Sequence, residues 1–406
     1  MTPCDSNVKQ KENIVKVPIF AAVACATLVA SVAIAGPASA HDRSDHPRVT
    51  VGAPVTLTNH LFTPLSLEVD RYGVSYVTQN FSGVLTRVDS HGKQTTIATA
   101  PGQEIGAVSS WRDTVYYAQT AQDHSSSYLM KVRKGSKPSR VADIYRYEKR
   151  ANPDRHNTYG FVDLPRSCRV QFDPSKPPNI PATYRGVVDT HPYASLALRD
   201  AVYVADAGGN DILRVGYNGR VSTVAVLPAS KPVLVTARIA ASIGFPACSA
   251  NHYYRTEPVP TDVELGPDGW LYVTSLPGGP EDASLGARGS VYKVNPHNGK
   301  VVLVTSGLVG ATDLAVSKSG TIYVAELFGG RTGTGQVSVI LPGAKKPTRL
   351  IALSSPAAIE LHQGKLYVTT DAFVPDSSGN PQPIGKLTVV PLTRHGHIED
   401  SVGYSR

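Results

Sequence analysis

Charge is sparse in this sequence. Only 18% of its 406 residues are Asp, Glu, Lys or Arg, while glycine and proline number 35 and 31. That balance suits an all-β chain with many turns rather than a helical one. The hydrophobic share, 41%, is too high for wholesale disorder. Dense basic runs are missing, which argues against a nucleic-acid stripe; the formal net charge of +8 reads as a solubility or surface-adhesion property. Catalytic signatures are missing too. No G-x-S-x-G elbow, H-E-x-x-H pair or phosphate-binding glycine motif occurs. Cysteine is scarce, with four in all.

The N-terminus reads as a targeting segment. Lys9, Lys11 and Lys16 form a basic region, Val17 to Ala35 is apolar, and Ala38-Ser39-Ala40 gives a small-x-small cleavage pattern. A signal peptide is expected over residues 1–40, cut after Ala40, leaving a secreted, extracellular chain with no transmembrane segment. A lipoprotein reading at Cys25 is disfavoured, because the apolar run continues well past it. The segment carries those three lysines against Asp5 and Glu12, so its loss lowers the charge from +8 to about +7. Cys4 and Cys25 leave with it. Cys168 and Cys248 remain, and in an exported protein they are expected to pair as one disulfide; two buried free thiols are the alternative.

What is present is repetition. Pro260–Ser275 reads PTDVELGPDGWLYVTS: an alternating apolar run, a Pro-Asp-Gly turn, then a strand of aromatic and β-branched residues. Similar units carry Tyr76, Tyr116, Tyr203, Tyr323 and Tyr367 at the place of Tyr272. Second hairpins follow, clearest at Asn218-Gly219, Asn298-Gly299 and His91-Gly92. Repeats of four short antiparallel strands predict a β-propeller. Tyr116 to Tyr203 spans 87 residues and Tyr203 to Tyr272 spans 69, against 40 to 51 elsewhere. Both long gaps are assigned to insertions, residues 144–189 and 229–257. The count is therefore six blades over residues 41–393, with a seventh hidden in 144–189 as the rival. Val49 to Leu57 is predicted to add the outermost strand of the last blade, closing the ring. Residues 394–406 are a polar tail.

Propeller geometry says where function sits. Both insertions and the long links Ser275–Arg288 and Asp371–Gly385 emerge on one face, which brings Cys168 near Cys248, and binding residues favour loops on a rigid scaffold. At the channel mouth there, Asn80, Asp206, Glu326 and Asp371 follow second strands. Asp262 and Asp313 open first strands, with His191 at the matching place in the third blade. Asn80, Asp206, Asp262, Asp313, Glu326 and Asp371 could hold Ca²⁺, a hard cation that takes several oxygens. Alternatively they cap strands and turns through backbone N–H groups. The recurring tyrosines read as inter-blade packing. His124, His156 and His252 read as solvated.

Several stretches resemble one family. His191-Pro192-Tyr193, Tyr203 to Asp211, Pro258 to Asp262, Leu276 to Pro280 and Gly289 to Tyr292 look like the ScyD/ScyE family, exported bacterial propellers related to NHL-repeat proteins. The family is named for proteins linked to making the pigment scytonemin. The resemblance runs from about Leu61 to Leu392 and is most specific in the third to fifth repeats. It implies a secreted six-bladed propeller and carries no catalytic residues. The basic Tyr145–Arg169 stretch is longer and more cationic than the family pattern.

Three functions are weighed. The first is a non-catalytic, monomeric binding protein whose partner is an extracellular protein, glycan or small molecule. The second is a Ca²⁺-dependent hydrolase resembling lactonase propellers, with Asn80, Asp206, Asp262, Asp313 and Glu326 as ligands. The third is a quinone-dependent sugar dehydrogenase, which needs a basic, aromatic cradle that the sequence does not supply. The first is preferred.

Overall fold

The structure, a computed structural model, describes residues 49–173, 175 and 180–393. The expected signal peptide, its cleavage after Ala40 and the tail 394–406 lie outside the described residues.

Local chemistry builds the repeated hairpin. Asp268 accepts the Trp270 N–H through Oδ1 at 3.2 Å, and Gly269 takes a φ of +75° that a side chain would resist. The turn sets Leu265 opposite Leu271 and Asp262 opposite Thr274. Successive side chains then alternate: Val263 is buried between sheets while Glu264 points to the other side of the strand.

Seven antiparallel sheets result, six of four strands and one of five. Six of them are joined through their first strands. Leu67–Val69, Gln103–Trp111, Pro192–Ala197, Pro260–Leu265, Ala311–Val316 and Ile359–His362 each touch the next, and the last touches the first. A tyrosine from each repeat sits in the apolar cluster between its own sheet and the following one. Tyr76 lies between the first and second, Tyr116 between the second and third, and Tyr203 between the third and fourth. Tyr272, Tyr323 and Tyr367 take the remaining junctions, the last returning to the first sheet. The packing expected of these tyrosines is what the structure shows.

Close approach between neighbouring sheets explains two turn glycines. A Cβ on Gly299 would lie 2.4 Å from the Val224 carbonyl, and one on Gly92 would lie 2.0 Å from that of Leu57. In both, an outer turn presses on the outer strand of the preceding sheet. That Leu57 plays this part follows from the N-terminal segment. Thr50–Val51 and Val55–Leu61 both pair with Gly385–Thr393, setting Thr50 opposite Thr393 and Val55 opposite Val389. The segment expected at Val49 to Leu57 therefore lies on the outer edge of the last sheet and reaches Leu61.

The seventh sheet departs from the sequence reading. Residues 144–189 show no hairpin signature, yet they contain the strands Thr158–Phe161 and Thr183–Arg185 beside the helices Ile144–Ala151 and Arg166–Arg169. The second insertion adds Val233–Val235 and His252–Arg255, with the helix Ala237–Ser242 between them. The two insertions join where Gly160 faces Arg255. Strands of three or four residues whose partners lie across long links rather than a tight turn leave no periodic trace. This sheet has its own core of Phe161, Leu164, Val235, Ile239 and Phe245. Cys168 and Cys248 are bonded within it, with Cα atoms 5.7 Å apart.

Candidate functional site

First strands begin, and second strands end, at one end of the six-sheet ring. The enclosed space is not open there. Leu65, Tyr193, Val259, Leu327 and Ala357 form a buried cluster with Phe81, Phe328 and Phe373 packed around it.

Beside this cluster stands a charged pair. His191 precedes the strand Pro192–Ala197, and its Nε2 lies 2.9 Å from Glu104 Oε2, on the neighbouring strand Gln103–Trp111. Asn80 Nδ2 donates to the other Glu104 oxygen at 2.8 Å. The His124 ring stacks on His191 at 4.7 Å between centroids, and its Nδ1 meets Asp189 at 2.8 Å. Burial alone pushes the imidazole down, but the facing carboxylates of Glu104, Asp189 and Asp206 win and raise His191 to about 9. Burial likewise pushes Glu104 up, and His191 and Asn80 outweigh it and hold it low. At neutral pH this is an imidazolium–carboxylate pair, with His191 Nδ1 buried and unbonded.

A second group faces the enclosed space from the first strands. Asp262 and Asp313 hydrogen-bond to each other, and Asp262 Oδ2 also accepts the Leu314 N–H at 3.0 Å. Two adjacent carboxyls cannot both ionise cheaply. Burial brings Asp262 up to about 7, and burial with its charged neighbours brings Asp313 well above its ordinary range. Glu264 and Glu360 are raised the same way, and burial lifts Glu68 to about 7 despite the Ser110 hydroxyl donating to it at 2.8 Å.

The other expected cation ligands are held elsewhere. Asp206 accepts the Thr190 hydroxyl and the backbone N–H groups of His191 and Gly209. Glu326 accepts the Val309 N–H at 2.6 Å, the Gln336 amide at 2.8 Å and the Ser338 hydroxyl. Asp371 pairs with Lys386 at 2.8 Å. The structure thus joins only Asp262 and Asp313 of that set. Among the described residues, no three His, Cys, Asp or Glu side chains are gathered as a metal-binding group.

Sequence reasoning missed Glu104, Glu68, Glu264 and Glu360. The last three left a signal, one acid flanked by Leu67 and Val69, Val263 and Leu265, or Ile359 and Leu361 on three first strands. Glu104 left none, since its partner is 87 residues away. His124 and His252 are not simply solvated: each faces a carboxylate, Asp189 at 2.8 Å and Asp163 at 3.5 Å.

A third feature lies on the outer wall. The helix Ile144–Ala151 runs beside the outer strand of the third sheet, tied by the Tyr147 hydroxyl to Thr223 Oγ1 at 2.9 Å. An open groove of about 600 Å³ lies there, lined by Asp143, Arg146, Tyr147, Arg150, Arg220 and Ser222. The sequence supplies the helix start: Asp143 caps it, accepting the Arg146 N–H at 2.8 Å. Arg150 lies over the Tyr147 ring at 5.7 Å. Among the described residues, none of these three arginines pairs with a carboxylate.

No known family profile and no curated protein matches the chain. Solved structures do. One is a PQQ-bound aldose sugar dehydrogenase from Streptomyces coelicolor, 13% identical, with a TM-score of 0.53 over 86% of this chain and 100% of that one. A gluconolactonase from Xanthomonas campestris is 12% identical, with a TM-score of 0.49 over 89% and 99%. A streptogramin B lyase is 12% identical, with a TM-score of 0.46 over 84% and 98%. At such identities the likeness concerns the β-propeller-like fold alone.

Proposed function

We propose that this chain is an exported six-bladed β-propeller of the kind the ScyD/ScyE resemblance implies, and that it binds an anionic extracellular ligand without catalysis. The observation that carries the reading is the groove of Arg146, Arg150 and Arg220, three guanidinium groups that pair with no carboxylate among the described residues. Arginine's planar fork suits carboxylate, sulfate or phosphate groups. The closed cycle of inner strands and the tyrosine at each junction support six blades, the seventh sheet being a side module. The Cys168–Cys248 bond supports export over residues 1–40. The apolar residues filling the ring's loop-side end support binding on the outside over chemistry within.

The test uses polygalacturonate, a uronic-acid polymer, against neutral dextran. The protein is expected to be retained on the acidic polymer at low salt. Changing Arg146, Arg150 and Arg220 together to Glu should cut that retention at least tenfold. Equal retention of this variant, or equal binding to dextran, overturns the reading.

A Ca²⁺-dependent hydrolase is the second reading, and the Asp262–Asp313 contact favours it. Two facing carboxyls have the oxygen chemistry for that ion. Asp313→Asn should then lower by one the number of Ca²⁺ ions taken up by chelator-treated protein in a calorimetric titration; an unchanged number removes the idea.

A further inference from the structure

The helix Ile144–Ala151 has a second side. Its outer residues include Arg146, Lys149 and Arg150, but Glu148 turns inward and is only 2% exposed. Around it are Asp154, also 2% exposed, and Asp211, which is fully buried. Each has one oxygen anchored. The Asp189 backbone N–H lies near Glu148 and favours its charged form. Asp154 Oδ2 accepts the Tyr159 hydroxyl and the Asn210 amide, both at 3.0 Å. Asp211 Oδ2 accepts the Thr223 hydroxyl at 3.2 Å. Asn152 Nδ2 donates to the Gly186 carbonyl at 3.1 Å.

The remaining oxygens have nothing. Glu148 Oε1, Asn152 Oδ1, Asp154 Oδ1 and Asp211 Oδ1 are buried with no hydrogen-bond partner. Such groups are rare, because each forfeits its hydration without return. The charges that weigh most on Glu148 and Asp211 are all negative: Asp206 and Asp154 on both, Asp189 on Glu148, and Glu148 on Asp211. Asn152 and Asp154 both abut Gly186: the Asn152 amide donates to its carbonyl, and a Cβ there would come within 2.0 Å of Asp154 Oδ1. Oxygen acceptors without donors are the ligands a hard cation takes.

We propose that Glu148, Asn152 and Asp154 bind a hard divalent cation of the Ca²⁺ class, with Asp211 adding negative charge from the facing hairpin. The ligand set is two carboxylates and an amide, so water fills the other positions, as Ca²⁺ allows and as the stricter octahedron of Mg²⁺ disfavours. The ion would fasten the first insertion to the third sheet, because Asp211 pairs with Asp206 across the hairpin that Asn210 ties to Asp154. This site is separate from Asp262 and Asp313.

Terbium(III), a luminescent stand-in for Ca²⁺, is the direct probe, with Tyr159 as antenna beside Asp154. Chelator-treated protein is expected to sensitise terbium emission, Ca²⁺ to displace it, and Ca²⁺ alone to raise the melting temperature. Glu148→Gln, which keeps size and shape, should cut emission at least tenfold and abolish the melting shift; Asp211→Asn should weaken both. Asp262→Asn should change neither, which separates this site from the hydrolase reading. Absent emission, or emission undiminished in Glu148→Gln, overturns the proposal. So does a Glu148→Gln variant that melts higher than the metal-free protein while the latter ignores Ca²⁺, for that would mean the acids simply hold protons.

Discussion

At the residue scale, electrostatics inside the ring is governed by one question: does a buried acid have a cation beside it? Glu104 has His191 and ionises readily; Glu68 and Asp262 have none and titrate near 7. The signs follow by linkage. Glu68 and Asp262 have folded values raised above their unfolded ones, so their contribution is present below about 4.5 and 3.8 and is lost as pH climbs towards 7. His191 is raised from 6.5 to about 9, so its share persists below 6.5 and is lost as pH rises through 9. The denaturant midpoint is therefore expected to fall between pH 5 and pH 9, and Glu68→Gln should flatten the part below pH 7. A midpoint rising over that range contradicts the assignment. In Glu104→Gln the His191 imidazole, followed by NMR, should bind its proton at least tenfold more weakly, since only Asp189 and Asp206 then oppose burial.

Elements differ in what holds them. Each sheet of the ring shares an apolar cluster with its neighbours, whereas the insertion sheet has a small core of its own and one covalent tie. Cys168 and Cys248 are 80 residues apart, a loop whose closure is worth about 4.5 kcal/mol in chain-entropy terms. Cys168→Ser with Cys248→Ser should accordingly remove hydrogen-exchange protection from residues 158–161 and 252–255 while leaving the ring's inner strands protected. Equal loss in both regions would show that the two are one cooperative unit. The ring hairpins were legible because strand, Asp-Gly or Asn-Gly turn and strand are contiguous. The insertion strands were not, because Thr158–Phe161 finds its partners across long links, at Thr183–Arg185 and at His252–Arg255 in the other insertion.

The whole molecule depends on closure. Without the N-terminal segment, Gly385–Thr393 would be a nine-residue open edge, a template for pairing with another chain. Removing residues 49–61 should lower the melting temperature by several degrees and yield dimers or larger species in light scattering; a monomer of unchanged stability would mean that this pairing contributes little. The segment also carries the Leu57 carbonyl on which Gly92 rests, so its loss reaches the first sheet as well as the last.

Contiguous residues wrote the repeat, its tyrosines, its turns and the strand that returns to the last sheet, because hairpins and one-face burial are short-range properties of a period-two pattern. The cysteine pair was readable too, from the expected export and the count. Which acids stand beside a cation, which stand against each other, and which oxygens are left without a donor was settled only when distant strands came together. The distance between charges in space, not in sequence, sets their energy, and Glu104 with His191 or Glu148 with Asp211 become neighbours only in the closed ring.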